Sequence, residues 1–209
     1  MSGFERFNKI LNLFSEKRSS LTVAEISDEL KIPSSTIYRT VREMVLADFL
    51  ESAAGSYFRL GQAFIKFNRI INLSDPLIQA GEPFLKKLAN ENPIPSTNIL
   101  ARLFGDKVMC VADFKYPSFK NNTSYQKGRL MPLLYGATSR AIIMQIKGKR
   151  LRDILNLEGL KDNKQQKIFI SGLDKDKKKG FCKTEGQVDN GLIGFAISIN
   201  NKKLGIEAS

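Results

Sequence analysis

Apolar residues near the N-terminus recur every three or four positions, as on one face of an amphipathic helix. The pattern predicts a first helix from Phe4 to about Lys17, and its apolar stripe consists of Phe4, Phe7, Ile10, Leu11 and Phe14. Thr22, followed three residues later by Glu25, has the form of a capping box and predicts the start of a short second helix. Pro33 interrupts that helix and predicts the start of a third, which runs to about Ala47.

The third helix has two chemically different faces. Its apolar face carries Ile37, Val41, Met44 and Val45, whereas Ser35, Arg39 and Arg42 lie near the opposite face and Tyr38 lies at its flank. Two short helices joined by a tight turn, the second polar and basic on its outer face, are typical of a helix-turn-helix whose recognition helix enters the major groove. The pattern therefore predicts double-stranded DNA as a partner.

Two short extended runs follow the third helix. Phe49–Ser52 and Tyr57–Leu60 flank a turn that contains Gly55, and this order predicts a β-hairpin, the wing of a winged helix-turn-helix. Arg59 is the basic contact candidate on the wing.

The segment from Phe4 to Gly61 contains T-V-A-E-I in the second helix, P-S-S-T-I-Y-R at the start of the third, and Y-F-R-L-G at the end of the wing. In these motifs it resembles the DNA-binding domain of the IclR family of transcriptional regulators. It implies that polar residues of the third helix contact bases and phosphates, namely Ser34, Ser35, Thr36, Tyr38, Arg39 and Arg42.

Each of these residues also has a structural alternative. Ser34 can cap the helix, Thr36 can support its first turn, and Tyr38 can pack against the second helix. The arginines can form salt bridges with Glu43 or Asp48.

Residues 62–92 return to helical spacing on both sides of Ser74-Asp75-Pro76 and are interpreted as a helical linker between a DNA-binding domain, residues 1–61, and a second domain, residues 93–209. The resemblance implies that the linker and the first helix form a homodimer or a dimer of dimers. A role in core packing is equally compatible with the pattern.

The second domain alternates extended and helical segments, which predicts an antiparallel sheet with helices and an α+β fold class. The predicted strands are Thr97–Phe104, Lys107–Phe114 and Gly191–Asn200, and the predicted helices are Ala137–Lys147 and Lys149–Leu157. The order resembles the GAF-like effector domain of the IclR family, which we expect to be incomplete at the C-terminus because the chain stops at Ser209. Gly172–Lys179 has a single apolar residue and is predicted to be a solvated loop.

Two segments carry the resemblance in this half, G-R-L-M-P-L-L-Y-G-A-T-S-R-A and K-G-F-C-K-T-E-G-Q-V-D-N-G-L-I-G. They imply a small-molecule effector, possibly with a carboxylate held by backbone amides at a helix start. The implied contacts are Ala137, Thr138, Ser139, Thr184, Glu185 and Gly194. Leu134 and Ser139 depart from the family's usual histidine and glycine, so a degenerate effector site stays open as an alternative.

Charge and composition limit the classes of function. The net charge of +12 suits a partner of polyanions, but residues 1–73 hold ten basic against eight acidic side chains, whereas residues 74–209 hold twenty-three against thirteen. Lys175–Lys179 is either a second nucleic-acid contact or, more commonly for such runs, solvated surface.

The chain has no histidine and two distant cysteines, Cys110 and Cys182, which we expect to be buried. This composition predicts no metal site, no cofactor and no catalytic residue, and hence not an enzyme. No stretch is long and apolar enough to span a membrane and no signal peptide is visible, so a cytoplasmic location is expected. The sequence predicts a DNA-binding transcriptional regulator, with a winged-helix protein-interaction module as the alternative.

Overall fold

Two folded units follow one another along the chain, Met1–Ser74 and Asp75–Ser209. They belong to a computed structural model that describes residues 2–116, 118–120 and 123–209. Both units combine helices with antiparallel strands, and the expected α+β class is confirmed. The boundary falls inside the predicted 62–92 linker, so its first helix belongs to the first unit and its second helix to the second.

The first unit has the element order of a winged helix-turn-helix. Its elements are α1 (Gly3–Leu11), β1 (Ser20–Thr22), α2 (Val23–Leu30), α3 (Ser34–Leu46), β2 (Leu50–Ser52), β3 (Tyr57–Leu60) and α4 (Ala63–Ser74). The strands form one antiparallel sheet in the order β1-β3-β2, and a short 3-10 turn at Ala54–Ser56 joins β2 to β3.

A local signal in the sequence sets the start of α2. The predicted capping box is present, because Thr22 Oγ1 accepts from Glu25 N at 3.2 Å and the Glu25 carboxylate accepts from Thr22 N at 2.7 Å.

The apolar faces of α1, α2 and α3 meet in a core that also includes one residue each from β1 and β2. Its fully buried members are Ile10, Leu21, Ile26, Ile37, Val41, Met44 and Leu50.

The first helix is shorter than predicted. It ends at Leu11 rather than near Lys17, and the amides of Leu13 and Phe14 then bond to Ile10 O and Leu11 O in tighter i→i+3 turns. Both side chains still pack against the core. These apolar residues therefore fit the helical spacing in the sequence although the backbone there is not helical. The turn leads into β1, which was not predicted and which pairs with β3.

Gly61 closes the wing because only a glycine fits there. Its amide donates to Phe49 O at 2.9 Å, and a Cβ at this position would lie 2.2 Å from Asp48 O and 2.8 Å from Asp48 C. These are backbone atoms that cannot move aside separately.

The second unit is an antiparallel sheet with helices on both faces. Its elements are α5 (Pro76–Glu91), β4 (Thr97–Phe104), β5 (Lys107–Lys115), β6 (Leu130–Pro132), α6 (Ala137–Ile143), α7 (Gly148–Leu157), α8 (Asn163–Lys179), β7 (Cys182–Glu185), β8 (Ile193–Ala196), β9 (Ile199–Asn201) and β10 (Ile206–Ala208). Five strands pair in the order β6-β5-β4-β10-β9, and β7 and β8 form a separate hairpin.

Neighbouring residues of β4 belong to different cores, because successive side chains of a strand point to opposite faces. Leu100 packs with Leu77 and Leu85 of α5, whereas Ala101 packs in the larger core with α6, α7 and α8. Cys110 and Cys182 are free thiols and are buried, as predicted.

Three predictions in this unit are wrong. The helix predicted for Ala137–Lys147 ends at Ile143, and the run Gly191–Asn200 is split, with β8 paired to β7 and β9 paired to β10. Gly172–Lys179 is not a loop but the second half of α8. This half of the helix is held by the buried Leu173, by an ion pair and by a left-handed C-cap at Gly180 rather than by a long apolar stripe.

Candidate functional site

The outer face of α3 presents most of the predicted DNA contacts to solvent. Ser34, Ser35, Tyr38, Arg39 and Arg42 are exposed, and Thr36 is half-buried. Ile37, Thr40, Val41 and Met44 face the core, so the helix is anchored along one side and open along the other. A rigidly held helix with a polar, basic outer face has the geometry of a recognition helix.

Arg39 and Arg42 have no competing charge partner in the described part of the chain. Neither forms an ion pair there, and the alternative salt bridges to Glu43 and Asp48 are not made. Two adjacent guanidinium groups are thus available to an external acceptor.

The smaller candidates on α3 differ in their structural roles. Ser34 does not cap the helix, since the N-cap is Pro33, but its hydroxyl bonds Ser27 Oγ at 3.0 Å and ties α3 to α2. Thr36 O accepts from Thr40 Oγ1 at 3.1 Å, and the same hydroxyl accepts from Arg6 Nε at 2.8 Å. Tyr38 is 57 % exposed, which does not fit the alternative of packing against α2.

Arg59 lies on β3 and forms an ion pair with Glu51 of the paired strand β2. The pair is partly exposed, so Arg59 still reaches solvent, but its charge is balanced locally. The wing therefore presents less free positive charge than α3.

The structure brings three of the effector candidates together. A Cβ added at Gly194 would lie 3.2 Å from Ala137 Cβ and 3.3 Å from Thr184 Oγ1. The start of α6 thus packs directly on the β7-β8 hairpin, and Ala137 and Thr184 are buried. Glu185 is exposed at the end of β7 and Thr138 is half-buried, so both lie at the margin of this group.

Loop residues that were not singled out from the sequence close the same region. Gly136 N donates to Gln187 Oε1 at 3.2 Å, and Ser139, itself fully buried, bonds Tyr125 Oη at 2.9 Å and Pro132 O at 2.8 Å. Asp189 accepts from Ser124 N at 2.8 Å and from Thr123 Oγ1 at 3.0 Å. Apart from the bond between Ser139 and Pro132, these contacts join positions 14 to 66 residues apart, so no local pattern signals them.

Two ionisable groups of this region have pKa values that are shifted in opposite directions. Burial raises the pKa of Asp189, but hydrogen bonds from Ser124 and Thr123 outweigh it, so the net shift lowers this pKa. Burial raises the pKa of Tyr125, whose hydroxyl therefore stays protonated at neutral pH.

Two shallow depressions lie elsewhere. One, of about 280 Å³, is lined by Arg102, Leu103, Gly105, Arg150, Gly205 and Glu207. The other, of about 440 Å³, lies beside the wing and is lined by Phe14, Ser15, Glu16, Ser19, Arg59 and Leu60. Neither includes a predicted effector residue. Within the described ranges no group of side chains is suited to hold a metal ion, and no helix is long and apolar enough to cross a membrane.

Comparison with known proteins identifies the first unit. Residues 5–53 match the family model of the IclR helix-turn-helix domain. The N-terminal domain is an IclR helix-turn-helix domain. The motifs of the second helix and of the start of the third fall inside this match, whereas Y-F-R-L-G at residues 57–61 lies beyond it.

Similarity to known proteins extends over both units, at a sequence identity of 19–20 %. The Pca regulon regulatory protein of Pseudomonas putida is 19 % identical over 204 residues, which span 95 % of this chain and 69 % of that protein. An IclR homologue from Microbacterium hydrocarbonoxydans, solved with 4-hydroxybenzoate, has a TM-score of 0.77 at 20 % identity and covers 99 % of this chain and 87 % of its own. An IclR regulator from Alicyclobacillus acidocaldarius has a TM-score of 0.80 at 20 % identity, covering 99 % and 84 %. At this identity the solved structures establish a shared fold.

Proposed function

We propose that this protein is a transcriptional regulator that binds operator DNA through α3 and the wing and whose affinity for DNA is changed by a small carboxylate effector. The observation that carries the proposal is the IclR helix-turn-helix match over residues 5–53, combined with the two exposed arginines of α3 that have no partner within the described residues. The regulators among its relatives support the same class.

Arg39 and Arg42 are proposed as the principal readers. They are three residues apart on one helix, about 4.5 Å along its axis, so both can reach one stretch of groove. A bidentate arginine–guanine contact is worth about 1–3 kcal/mol of discrimination, whereas a contact to phosphate mainly sets affinity and salt dependence. Ser34, Ser35, Thr36, Tyr38 and Arg59 are proposed as supporting contacts to the backbone or bases.

Dimerisation is proposed through the first unit. Helix α4 exposes five large apolar side chains, namely Ile65, Phe67, Ile70, Ile71 and Leu73, and Phe4 on α1 is 80 % exposed. Exposed apolar surface of this extent is typical of an interface. A second copy would place two α3 helices opposite two half-sites about one turn of DNA apart.

The effector site is proposed at the junction of α6 with the β7-β8 hairpin. Ala137, Thr138 and Ser139 supply the first turn of α6, and Thr184, Glu185 and Gly194 supply the hairpin side. The first amides of a helix lack intrahelical partners and suit an anionic group. A carboxylate would replace the Gln187 side chain that now accepts from Gly136 N. Such a ligand changes DNA affinity only if it binds two conformations differently.

DNA reading is tested by fluorescence anisotropy with DNA from upstream of the protein's own gene and a scrambled duplex of equal length, over a range of salt concentrations. Arg39→Ala and Arg42→Ala are compared with Arg152→Ala, which removes the same charge from an exposed position of α7. We expect the native duplex to be preferred, the preference to fall in at least one α3 variant, and Arg152→Ala to retain it. Equal binding to both duplexes that does not respond to salt or to the α3 variants would reject the proposal and favour a protein-interaction module.

The effector is tested by titration calorimetry with 4-hydroxybenzoate, the ligand of the Microbacterium homologue, and with benzoate. Thr184→Val keeps the side-chain volume and removes the hydroxyl, and Ser171→Ala on exposed α8 is the matched control. Binding that is weakened in Thr184→Val alone supports the site. If neither acid binds or alters DNA affinity, this carboxylate site is rejected and the degenerate-site alternative is favoured.

A further inference from the structure

Helix α8 carries a straight stripe of lysines on its solvent face. Lys164, Lys167, Lys175 and Lys178 are exposed and, with Ser171 between them, follow a spacing of three, four, four and three residues. This spacing keeps all five positions on one side of an α-helix. The opposite side faces the core through Gln166 and Leu173, so the orientation of the stripe is fixed.

No carboxylate neutralises the stripe within the described residues. None of the four lysines forms an ion pair there, and Asp176, one of the two acidic residues of α8, is engaged by Arg140. The helix holds six lysines against two aspartates. Its free charge is therefore directed outward.

Stability of the helix does not account for this arrangement. Lysines in the last turn interact favourably with the negative end of the helix dipole, which explains Lys177, Lys178 and Lys179. Lys164 and Lys167 lie in the first turns, where the dipole disfavours positive charge. Lys175 and Lys178 are also three residues apart, where like charges repel. Half of the stripe thus weakens the helix that carries it.

The stripe has the length and charge of a DNA-backbone contact. From Lys164 to Lys178 it spans about 21 Å at the rise of an α-helix. Over that distance B-DNA presents about twelve phosphate charges. Residues 74–209 also hold most of the excess positive charge, with twenty-three basic against thirteen acidic side chains, although the sequence-reading domain lies in the first unit.

We propose that the α8 lysine stripe is a second DNA-binding surface that contacts phosphates outside the helix-turn-helix and contributes affinity without sequence preference. The inference rests on the proposed function only in taking duplex DNA as the partner. It does not require that α3 reads a particular sequence.

The test uses the full chain with Lys164, Lys167, Lys175 and Lys178 all changed to glutamine. The matched control changes Lys147, Lys149, Lys202 and Lys203 to glutamine. These four lysines are also exposed and form no ion pair within the described residues, so the same free charge is removed from the start of α7 and from the β9-β10 turn. Affinity for the native and the scrambled duplex is measured from 50 to 300 mM salt, after circular dichroism and thermal unfolding show that both variants are folded.

In the stripe variant we expect affinity for both duplexes to fall by about tenfold or more, and the slope of log K against log salt to become shallower by about 2–4, close to 0.9 per lost phosphate contact. The ratio between native and scrambled DNA should not change, and the control should change little. If the stripe variant matches the control in slope and affinity, the proposal is overturned. Binding to vesicles containing phosphatidylserine is measured in parallel. The proposal is also overturned if the stripe variant loses only this binding, because the surface would then be a membrane contact.

The two proposals can fail separately. If wild-type protein shows no preference for the native duplex but the stripe variant still loses salt-dependent affinity, the operator-reading proposal fails and the α8 inference stands. If preference depends on Arg39 or Arg42 and the stripe variant is unaffected, the reverse holds.

Discussion

Arg140 and Asp176 form a nearly buried ion pair that joins α6 to α8. One carboxylate oxygen of Asp176 accepts from Arg140 Nη2 at 2.6 Å and from Nε at 3.1 Å, and the guanidinium also lies 5.6 Å from the centre of the Phe169 ring. The two side chains are 17 % and 13 % exposed. This pair fastens the C-terminal half of α8, in which Leu173 is the one buried apolar residue.

Removing one partner of this pair should destabilise the second unit strongly. We expect Asp176→Ala to lower the free energy of unfolding by about 3–5 kcal/mol, because the arginine stays buried without a counter-charge. The double variant Arg140→Met with Asp176→Leu should recover most of that loss. Urea unfolding of wild type, Asp176→Ala and the double variant gives the comparison, and equal losses in Asp176→Ala and in the double variant would contradict this account.

Gly61 should not tolerate a side chain. Gly61→Ala places a Cβ 2.2 Å from Asp48 O, so the wing must shift, and we expect a loss of about 2–3 kcal/mol, at the upper end of overpacking effects. Gly3→Ala is the control, because a Cβ there meets nothing within 4 Å. Thermal unfolding of the two variants gives the comparison, and equal midpoints would show that the close approach does not constrain the wing.

The Asp189 contacts predict a dependence of stability on pH. Burial raises the pKa of this carboxyl, yet hydrogen bonds from Ser124 and Thr123 hold it below its ordinary value. A lowered folded-state pKa gives stability that is fully present above the unfolded pKa of about 3.9 and is lost as pH falls through the folded value. We therefore expect the difference in unfolding free energy between wild type and Asp189→Asn to be constant near neutral pH and to shrink in acid.

Urea titrations at pH 7, 5, 4 and 3 test the Asp189 prediction. Asp174→Asn, at an exposed position of α8, controls for the loss of one negative charge. A difference between wild type and Asp189→Asn that grows as the pH falls has the opposite sign and would contradict the prediction.

Both cysteines should resist modification in the folded protein. Burial raises the pKa of the Cys110 thiol to about 12 and that of Cys182 to about 11, so the reactive thiolate is scarce at pH 8. We expect Ellman's reagent to react far more slowly with the native protein than with free cysteine. In guanidinium chloride the reagent should react with both thiols. Fast reaction of either thiol in native buffer would disprove this prediction.

The first unit was predictable because its signals are local. The Thr22–Glu25 capping box and the break at Pro33 fixed two helix starts, and the spacing of the apolar residues of α3 separated the buried from the exposed side chains. The end of α1 was missed because Leu13 and Phe14 reach the core from a turn rather than from a helix.

The errors in the second unit come from long-range contacts. The C-terminal half of α8 is held by Arg140, which lies 36 residues away from Asp176, so its own composition suggested a loop. The run at residues 191–200 contains no signal for the switch of partner between β8 and β9. At the candidate effector site the quoted motifs identified Ala137, Thr184 and Gly194, but not Tyr125, whose bond to Ser139 only the fold brings about.

The pairing of β10 with β4 sets an order in which the two units can form during synthesis. Ala101 and Ser209 exchange both backbone hydrogen bonds, at 2.8 and 2.9 Å, across more than half of the chain. The strand pairing of the second unit is therefore incomplete until residues 206–209 have left the ribosome, whereas the first unit needs only its own 74 residues. The nascent chain can therefore carry a folded helix-turn-helix while β4, in the sheet of the second unit, still lacks its pairing with β10.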